Sequence, residues 1–134
     1  MTTPDEGAVA LAHKLLDLAR SGGTADLTAY LDAGAPVNLT DHKGDTLLIL
    51  AAYHEHEETV AALLDRDADV ERLNDRGQNA LICAVFRQNH AITRRLLAAG
   101  ADPDAGNPSA RATAQYFHLP EMTALLDGNT PPHI

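Results

Sequence analysis

Residues 44–53 of this chain read GDTLLILAAY, and residues 77–86, which begin 33 positions later, read GQNALICAVF. The same offset relates VAALLDRDADV at 60–70 to TRRLLAAGADP at 93–103. A repeat of this length is one supersecondary unit, which cannot bury its apolar side without neighbours. Stacked units bury a continuous core and leave an extended concave face. The repeat therefore predicts a solenoid that binds through a surface rather than a pocket.

The repeat continues towards both ends of the chain. Upstream, Tyr30-Leu31 corresponds to Leu63-Leu64 at the same offset. Downstream, Leu125-Leu126 corresponds to Leu63-Leu64 only after four residues are removed, because Gly106 follows Gly77 by 29 positions. We therefore predict a single domain of four units with a compressed last unit and a frayed tail. The predicted boundaries are about 6–38, 39–71, 72–104 and 105–128 for the units, and 129–134 for the tail.

Each unit is expected to contain two antiparallel helices joined by a turn. In the second unit the apolar spacing predicts helices at about 45–53 and 57–66. Thr24 is a suitable N-cap for the second helix of the first unit. Small side chains should let neighbouring first helices approach closely. These are Ala51, Ala52 and Ala84.

The pattern resembles the ankyrin repeat, whose signature runs Gly-x-Thr-Pro-Leu-His-x-Ala-Ala, followed by a turn, an apolar second helix and Gly-Ala-Asp. Here Gly44–Ala52 and Gly77–Ala84 carry the first part, and Gly100–Asp102 carries the last. The resemblance covers nearly the whole chain. It implies an all-α ankyrin-repeat solenoid of four helix-turn-helix units with N- and C-terminal capping repeats. Short stand-alone members of this family commonly inhibit, regulate or accompany one enzyme, so it also implies a protein-binding function.

The chain departs from the family signature at three kinds of position. The signature histidine is missing, so aliphatic packing is expected in its place. Its positions are held by Ile49, Ile82 and Arg111. The turn glycine before the second helix is kept once and then replaced. Its positions are held by Gly22, Glu55, Gln88 and Phe117. Asp67 stands where other units end the second helix with glycine, and Asp tolerates the left-handed backbone expected there.

Composition limits the classes of function. The 134 residues carry a net charge of −9, which argues against nucleic acid or an anionic membrane and favours a partner with a basic surface. The acidic, polar N-terminus is unlike a signal peptide, and no apolar run is long enough to span a membrane. The single cysteine, Cys83, is consistent with a cytoplasmic protein and is expected to be a small buried side chain. Abundant alanine, with arginine in excess of lysine, indicates a bacterial source.

The resemblance also indicates which residues form the contact surface, since ankyrin-like stacks bind through their loop tips and the exposed ends of their first helices. Aromatic residues and arginine dominate binding hot spots, so Tyr53, Phe86 and Tyr116 are the expected anchors. The alternative is that these rings merely cover the core. The full set of candidates is Arg20, His42, Lys43, Asp45, Tyr53, His54, Asp75, Arg76, Gln78, Phe86, Arg87, Gln115 and Tyr116.

Other functional classes receive less support from the sequence. The run from His54 to Glu58 contains zinc-ligand types, but His54 and His56 would diverge on a helix. A haem or metal carrier using Tyr53, His54, Tyr116 and His118 is the alternative function, although a flat face provides no haem slot. No phosphate loop or nucleophile elbow is present, so we expect no enzyme and no cofactor. We expect a monomer, with a purely structural subunit as a further alternative.

Overall fold

Residues 4–128 fold into eight α-helices. The computed structural model describes residues 4–128, with side chains from Glu6 onward; the predicted frayed tail at 129–134 lies outside the described residues. The helices are α1 Pro4–Ser21, α2 Thr24–Asp32, α3 Leu47–Tyr53, α4 Glu57–Leu64, α5 Ala80–Phe86, α6 His90–Ala98, α7 Ala110–Tyr116 and α8 Pro120–Leu126. Within residues 4–128 no strand interrupts them, which confirms the all-α prediction.

The helices pack in two layers. The first layer consists of α1, α3, α5 and α7, each packed against the next, and the second consists of α2, α4, α6 and α8. Each helix of the first layer also packs against the following helix in the chain. This arrangement gives every inner unit a neighbour on both sides, as a solenoid requires.

The core runs continuously between the two layers. Every residue of α3 from Leu47 to Ala52 and of α5 from Ala80 to Val85 is buried, because these helices have neighbours on three sides. Ala51, Ala52 and Ala84 are fully buried, as predicted, so only a methyl group separates adjacent first-layer backbones.

Side-chain caps fix where most first-layer helices begin. The side-chain oxygens of Thr46, Asn79 and Ser109 each accept a hydrogen bond from the backbone N–H three residues ahead. Thr46 is therefore a cap, and α3 begins at Leu47 rather than near 45, while α4 ends at Leu64 rather than 66.

The prediction that Thr24 caps α2 is wrong. Gly23 occupies the cap position and Thr24 is the first helical residue. The Thr24 hydroxyl instead forms a 2.7 Å hydrogen bond with the hydroxyl of Thr59, which is fully buried in α4. A tertiary contact between two second-layer helices has replaced the local cap, because a buried hydroxyl needs a partner.

The turns use left-handed backbone at equivalent places. Asp67 has φ 61°, which confirms the conformation predicted for it. Before each second-layer helix the left-handed residue is Gly22, Glu55, Gln88 and, in the last unit, His118 rather than Phe117. The last unit places two residues between Gly106 and its cap Ser109, where the preceding unit places one between Gly77 and Asn79. The predicted register there is therefore one residue early, and Ala112 rather than Arg111 corresponds to Ile82.

Ion pairs join neighbouring second-layer helices along the side of the stack remote from the first layer. Arg66 reaches back to Asp32 through two bonds of 2.9 and 3.1 Å. Arg95 bonds Glu57 at 2.9 Å, and the His90 ring lies 2.8 Å from the Glu121 carboxylate. Each pair joins one unit to the next, so these charges are satisfied by contacts between units.

Candidate binding face

One side of the stack is formed by two loop tips and by the C-terminal ends of the first-layer helices; we call it the inner face. The first tip spans 41–45 and the second spans 74–78. In the first, Asp41 accepts hydrogen bonds from the backbone N–H groups of Lys43 and Asp45, each at 2.9 Å. In the second, Asn74 plays the same role at 2.9 and 3.0 Å. Each tip is thus closed by a side chain at its first residue.

Backbone hydrogen bonds join the tips to one another. The N–H of Asp75 donates to the carbonyl of Lys43 at 3.0 Å, and the N–H of Asn107, in the third loop tip before α7, donates to the carbonyl of Gly77 at 3.1 Å. His42 and Asp75 are exposed at the tips, as the sequence predicts. The tips therefore form a continuous rim with a fixed spacing between Lys43 and the second tip.

Asp45 is a correction to the predicted surface. Its side chain is buried, with 7% relative exposure, and its carboxylate accepts a 2.7 Å hydrogen bond from the amide nitrogen of Asn74. Asp45 therefore joins the two tips instead of facing a partner. Gln78, at the equivalent position of the next unit, is half-buried.

Aromatic residues end three of the four first-layer helices. Tyr53, Phe86 and Tyr116 are the last residues of α3, α5 and α7, with relative exposures of 42%, 49% and 78%. These values place the rings at the surface rather than in the core. Gln115 is also exposed but lies one position earlier, so Tyr116 and not Gln115 continues the row formed by Tyr53 and Phe86.

An arginine contacts one of these rings, and Phe117 contacts the other two. Arg87 places its guanidinium carbon 5.3 Å from the centre of the Tyr53 ring and donates to Glu55 at 3.0 Å. Phe117, which is 49% exposed, makes edge contacts with Phe86 at 5.7 Å and with Tyr116 at 4.9 Å. Sequence reasoning missed Phe117 because it assigned this residue to the turn; the correct register would have found it.

The other end of the inner face contains Arg20 and two histidines. Arg20 pairs with Asp17 at 2.9 Å and Asp41 at 3.4 Å. His54, at the end of α3, has its pKa held below the ordinary value, first by partial burial and then by the charges of His56, Arg20 and Arg87. Nε2 of His56 lies 2.7 Å from the carbonyl oxygen of Arg20, so His56 ties α1 to the following unit.

A groove of about 420 Å³ lies between the loop tips and the first-layer helices. The sequence predicted a concave face that binds through a surface rather than a pocket, and the structure shows a groove within that face. Ile49, Leu50, Ile82 and Cys83 supply its apolar side chains. Eight of the predicted site residues also line it, namely Arg20, Lys43, Asp45, Tyr53, His54, Arg76, Gln78 and Phe86.

Cys83 is buried in the floor of this groove, as predicted. Burial raises the pKa of its thiol to about 12, the carboxylate of Asp45 adds to the rise, and Arg76 partly opposes it. The thiol is therefore protonated at neutral pH and contributes apolar surface.

The metal-carrier alternative gains no support from the geometry. Among residues 6–128, no group of three or more histidine, cysteine, aspartate or glutamate side chains is arranged to hold a metal ion. His54 and His56 stack with ring centres 6.4 Å apart, and His56 already contacts Arg20. This arrangement suits packing between units rather than ligation.

Two layers of paired helices joined by stacked loop tips define a helical repeat protein. The family model described as ankyrin repeats (3 copies) matches residues 15–107, which is more than half of the chain. The chain belongs to the ankyrin repeat family, whose repeats are generally protein–protein interaction modules. Among the helices of residues 4–128, none is both long and apolar enough to cross a membrane.

A bacterial relative shares part of the sequence. The Pseudomonas aeruginosa protein named "Putative ankyrin repeat protein PA3287" is 54% identical over 48 residues. The match covers 36% of this chain and 28% of the relative, so it spans less than a third of that protein's length. It supports the family and the expected bacterial source.

Proposed function

We propose that this chain binds one specific protein partner through its inner face and thereby regulates or accompanies an enzyme. The observation that carries the proposal is the line of exposed aromatic rings at Tyr53, Phe86, Tyr116 and Phe117. Together they account for four of the five aromatic residues in the chain. Exposed aromatic side chains of this kind are typical anchors of protein interfaces.

The arrangement of the face supports a binding role in two further ways. The rings stand at the ends of helices and the cations on loop tips joined by backbone hydrogen bonds, so little ordering is needed on association. A specific contact buries roughly 800 Å² on each partner, which four stacked units can provide. We propose that the chain acts as a cytoplasmic monomer that carries out no catalysis itself.

The test compares affinity capture by three forms of the chain. The Tyr53→Ala/Phe86→Ala double variant removes two anchors, and Tyr30→Ala removes an exposed tyrosine from α2 as a matched control. Each protein is used as bait in lysate of the source organism, and captured proteins are quantified by mass spectrometry. Circular dichroism checks that all three baits are folded.

We expect one protein to be captured by the wild type and by Tyr30→Ala but lost with the double variant. The loss should correspond to roughly 2 kcal/mol or more, about 30-fold in Kd, measured with the purified partner. Equal capture by all three baits contradicts the proposed face. Unfolding of the double variant would instead place the two rings in the core.

A further inference from the structure

The residues that line the groove include more cations than acids, whereas the whole protein is acidic. The net charge is −9, yet four of the ten lysine and arginine residues lie in the groove or at its edge. They are Arg20, Lys43, Arg76 and Arg87. The acids that line the groove are Asp41 and Asp45, whose side chains are buried and already accept hydrogen bonds, and Glu55 at the edge binds Arg87. The groove therefore presents mainly cations to solvent.

Two of these cations lack a carboxylate partner. Within residues 6–128, the side chains of Lys43 and Arg76 make no ion pair and no hydrogen bond, whereas Arg66, Arg87 and Arg95 each bind a carboxylate of a neighbouring unit. Asp75, which is exposed beside Arg76, does not line the groove. Lys43 and Arg76 thus leave charge available to a ligand.

The fold holds Lys43 and Arg76 beside the same groove. The backbone bond from Asp75 to Lys43 joins their loop tips, and both side chains line the cavity. Arg76 also lies close enough to the Cys83 thiol to oppose the rise in its pKa. The apolar floor between them is supplied by Ile49 and Ile82. A ligand complementary to this groove therefore carries a negative charge beside an apolar group.

We propose that the groove binds an extended acidic segment of the protein partner, with an aspartate or glutamate side chain between Lys43 and Arg76 and an apolar side chain on Ile49 and Ile82. This inference rests on the proposed function of the inner face. It reverses the expectation of a basic partner drawn from net charge. At physiological salt, charges more than about 8 Å away are largely screened, so the groove's own cations govern a docked segment.

A short protein segment fits the charge distribution better than a nucleic acid. Phosphates recur along the whole length of a nucleic acid and need a matching stripe of cations. Here cations gather in one groove, and the rest of the chain is acidic enough to bring the net charge to −9. Only a ligand whose negative charge is confined to a few residues avoids that repulsion.

The experiment selects peptide ligands on the protein itself, so the partner need not be identified first. A library of random peptides is displayed and selected on the immobilised full-length chain, and enriched peptides are synthesised with a fluorescent label. Their Kd values are measured by anisotropy for the wild type and for the Lys43→Glu/Arg76→Glu variant. A second form of each peptide carries Gln for Glu and Asn for Asp.

A matched control separates the groove from net charge. Lys14 and Arg94 are exposed on α1 and α6, outside the groove, and within residues 6–128 they make no ion pair. The Lys14→Glu/Arg94→Glu variant therefore changes the net charge by the same amount and with the same residue types. Chemical denaturation confirms that both variants are folded.

We expect the selected peptides to be enriched in Asp and Glu. Reversal of Lys43 and Arg76 should weaken an acidic peptide by about tenfold or more, because like charges then face each other. The control variant should stay within about twofold of the wild type, since distant exposed charges are screened. The amide form of each peptide should bind the wild type less tightly than its acidic form.

Three results would overturn the inference. The first is a selection without excess of acidic residues, the second is an equal loss in both charge variants, and the third is tighter binding of a single-stranded oligonucleotide than of the acidic peptide. Neutral or basic peptides that depend on Tyr53 and Phe86 would leave the proposed binding face intact and remove only its acidic ligand. Peptides whose Kd is unchanged by both the Tyr53→Ala/Phe86→Ala and the Lys43→Glu/Arg76→Glu substitutions would contradict the proposed binding face.

Discussion

The two sides of the stack place their charges in opposite ways. On the second-layer side, consecutive units are joined by the ion pairs Asp32–Arg66 and Glu57–Arg95 and by the contact between His90 and Glu121. On the inner face, cations line one groove, and the charges of His56, Arg20 and Arg87 help burial to lower the pKa of His54. On the inner face Arg20 and Arg87 are also paired with carboxylates, but within residues 6–128 the side chains of Lys43 and Arg76 make no ion pair. The comparison sets a surface whose ion pairs join consecutive units against a surface that we propose contacts a partner.

The largest expected effect comes from the buried layer between the two sides. Ala84 is fully buried in α5, which packs against both α3 and α7, so Ala84→Leu forces extra carbon atoms between helix backbones. We expect the free energy of unfolding to fall by about 1–3 kcal/mol. The measurement is urea denaturation followed by circular dichroism. The control Ala98→Leu, on the exposed surface of α6, should stay within about 0.5 kcal/mol of the wild type.

A smaller change in the free energy of unfolding is expected in the turns, where two left-handed residues differ in whether the side chain makes a hydrogen bond. Asp67 has φ 61° and makes no side-chain hydrogen bond within residues 6–128, so Asp67→Gly should raise the unfolding free energy by about 0.4–1 kcal/mol. Glu55 has φ 63° but bonds Arg87, so Glu55→Gly should gain less. Urea denaturation measures both, and a lowered midpoint for Asp67→Gly would contradict the strain at that residue.

The repeat made most of the fold predictable where its period is constant. The equivalence of residues 44–53 and 77–86 places α3 and α5 to within two residues of where they lie, and Asp67 was correctly expected in a left-handed turn. The register failed after Gly106, because a match anchored on that glycine cannot reveal the additional residue before Ser109. Gln115 and Phe117 were therefore taken as the equivalents of Phe86 and Gln88, positions that Tyr116 and His118 hold in the structure.

The candidate face was less predictable because it depends on contacts between units. Asp45 and Gln78 are equivalent in sequence, yet Asp45 is buried because the amide of Asn74 from the next tip reaches its carboxylate. No pattern within one repeat contains that contact. The groove itself results from the separation between tips and helix ends, which spacing along the chain does not specify.

The inner face makes a pH-dependent prediction through His54. Its folded-state pKa is below the ordinary value of 6.5, so the unfolded chain binds the proton more tightly. Stability should therefore be highest above about pH 6.5 and decline as the pH falls from there through the folded-state pKa of His54. Proton NMR of the imidazole resonances measures that pKa, and denaturation at several pH values measures stability.

Two variants show whether the inner-face cations cause part of the His54 shift. Arg20→Gln removes one nearby positive charge and should raise the pKa of His54 towards its ordinary value, although burial still lowers it. Arg94→Gln, which removes an exposed arginine from α6, should leave it unchanged. An unchanged pKa in both variants would leave burial and the charges of His56 and Arg87 as the causes, and would weaken the contrast between the two sides.

The smallest effect is expected on the second-layer side, where Arg66 holds the Asp32 carboxylate through two hydrogen bonds. These bonds lower the pKa of Asp32 below its ordinary value of 3.8. The stability that the Asp32–Arg66 pair adds to the folded state is therefore present above pH 3.8 and is lost as the pH falls through the folded-state pKa of Asp32. Arg66→Gln should return this pKa to the ordinary range in a carbon-13 NMR titration, with Arg95→Gln as the unchanged control. Because both side chains are solvated, melting temperature at neutral pH should hardly move. A large loss would mean that exposed ion pairs, and not only the buried layer, hold the units together.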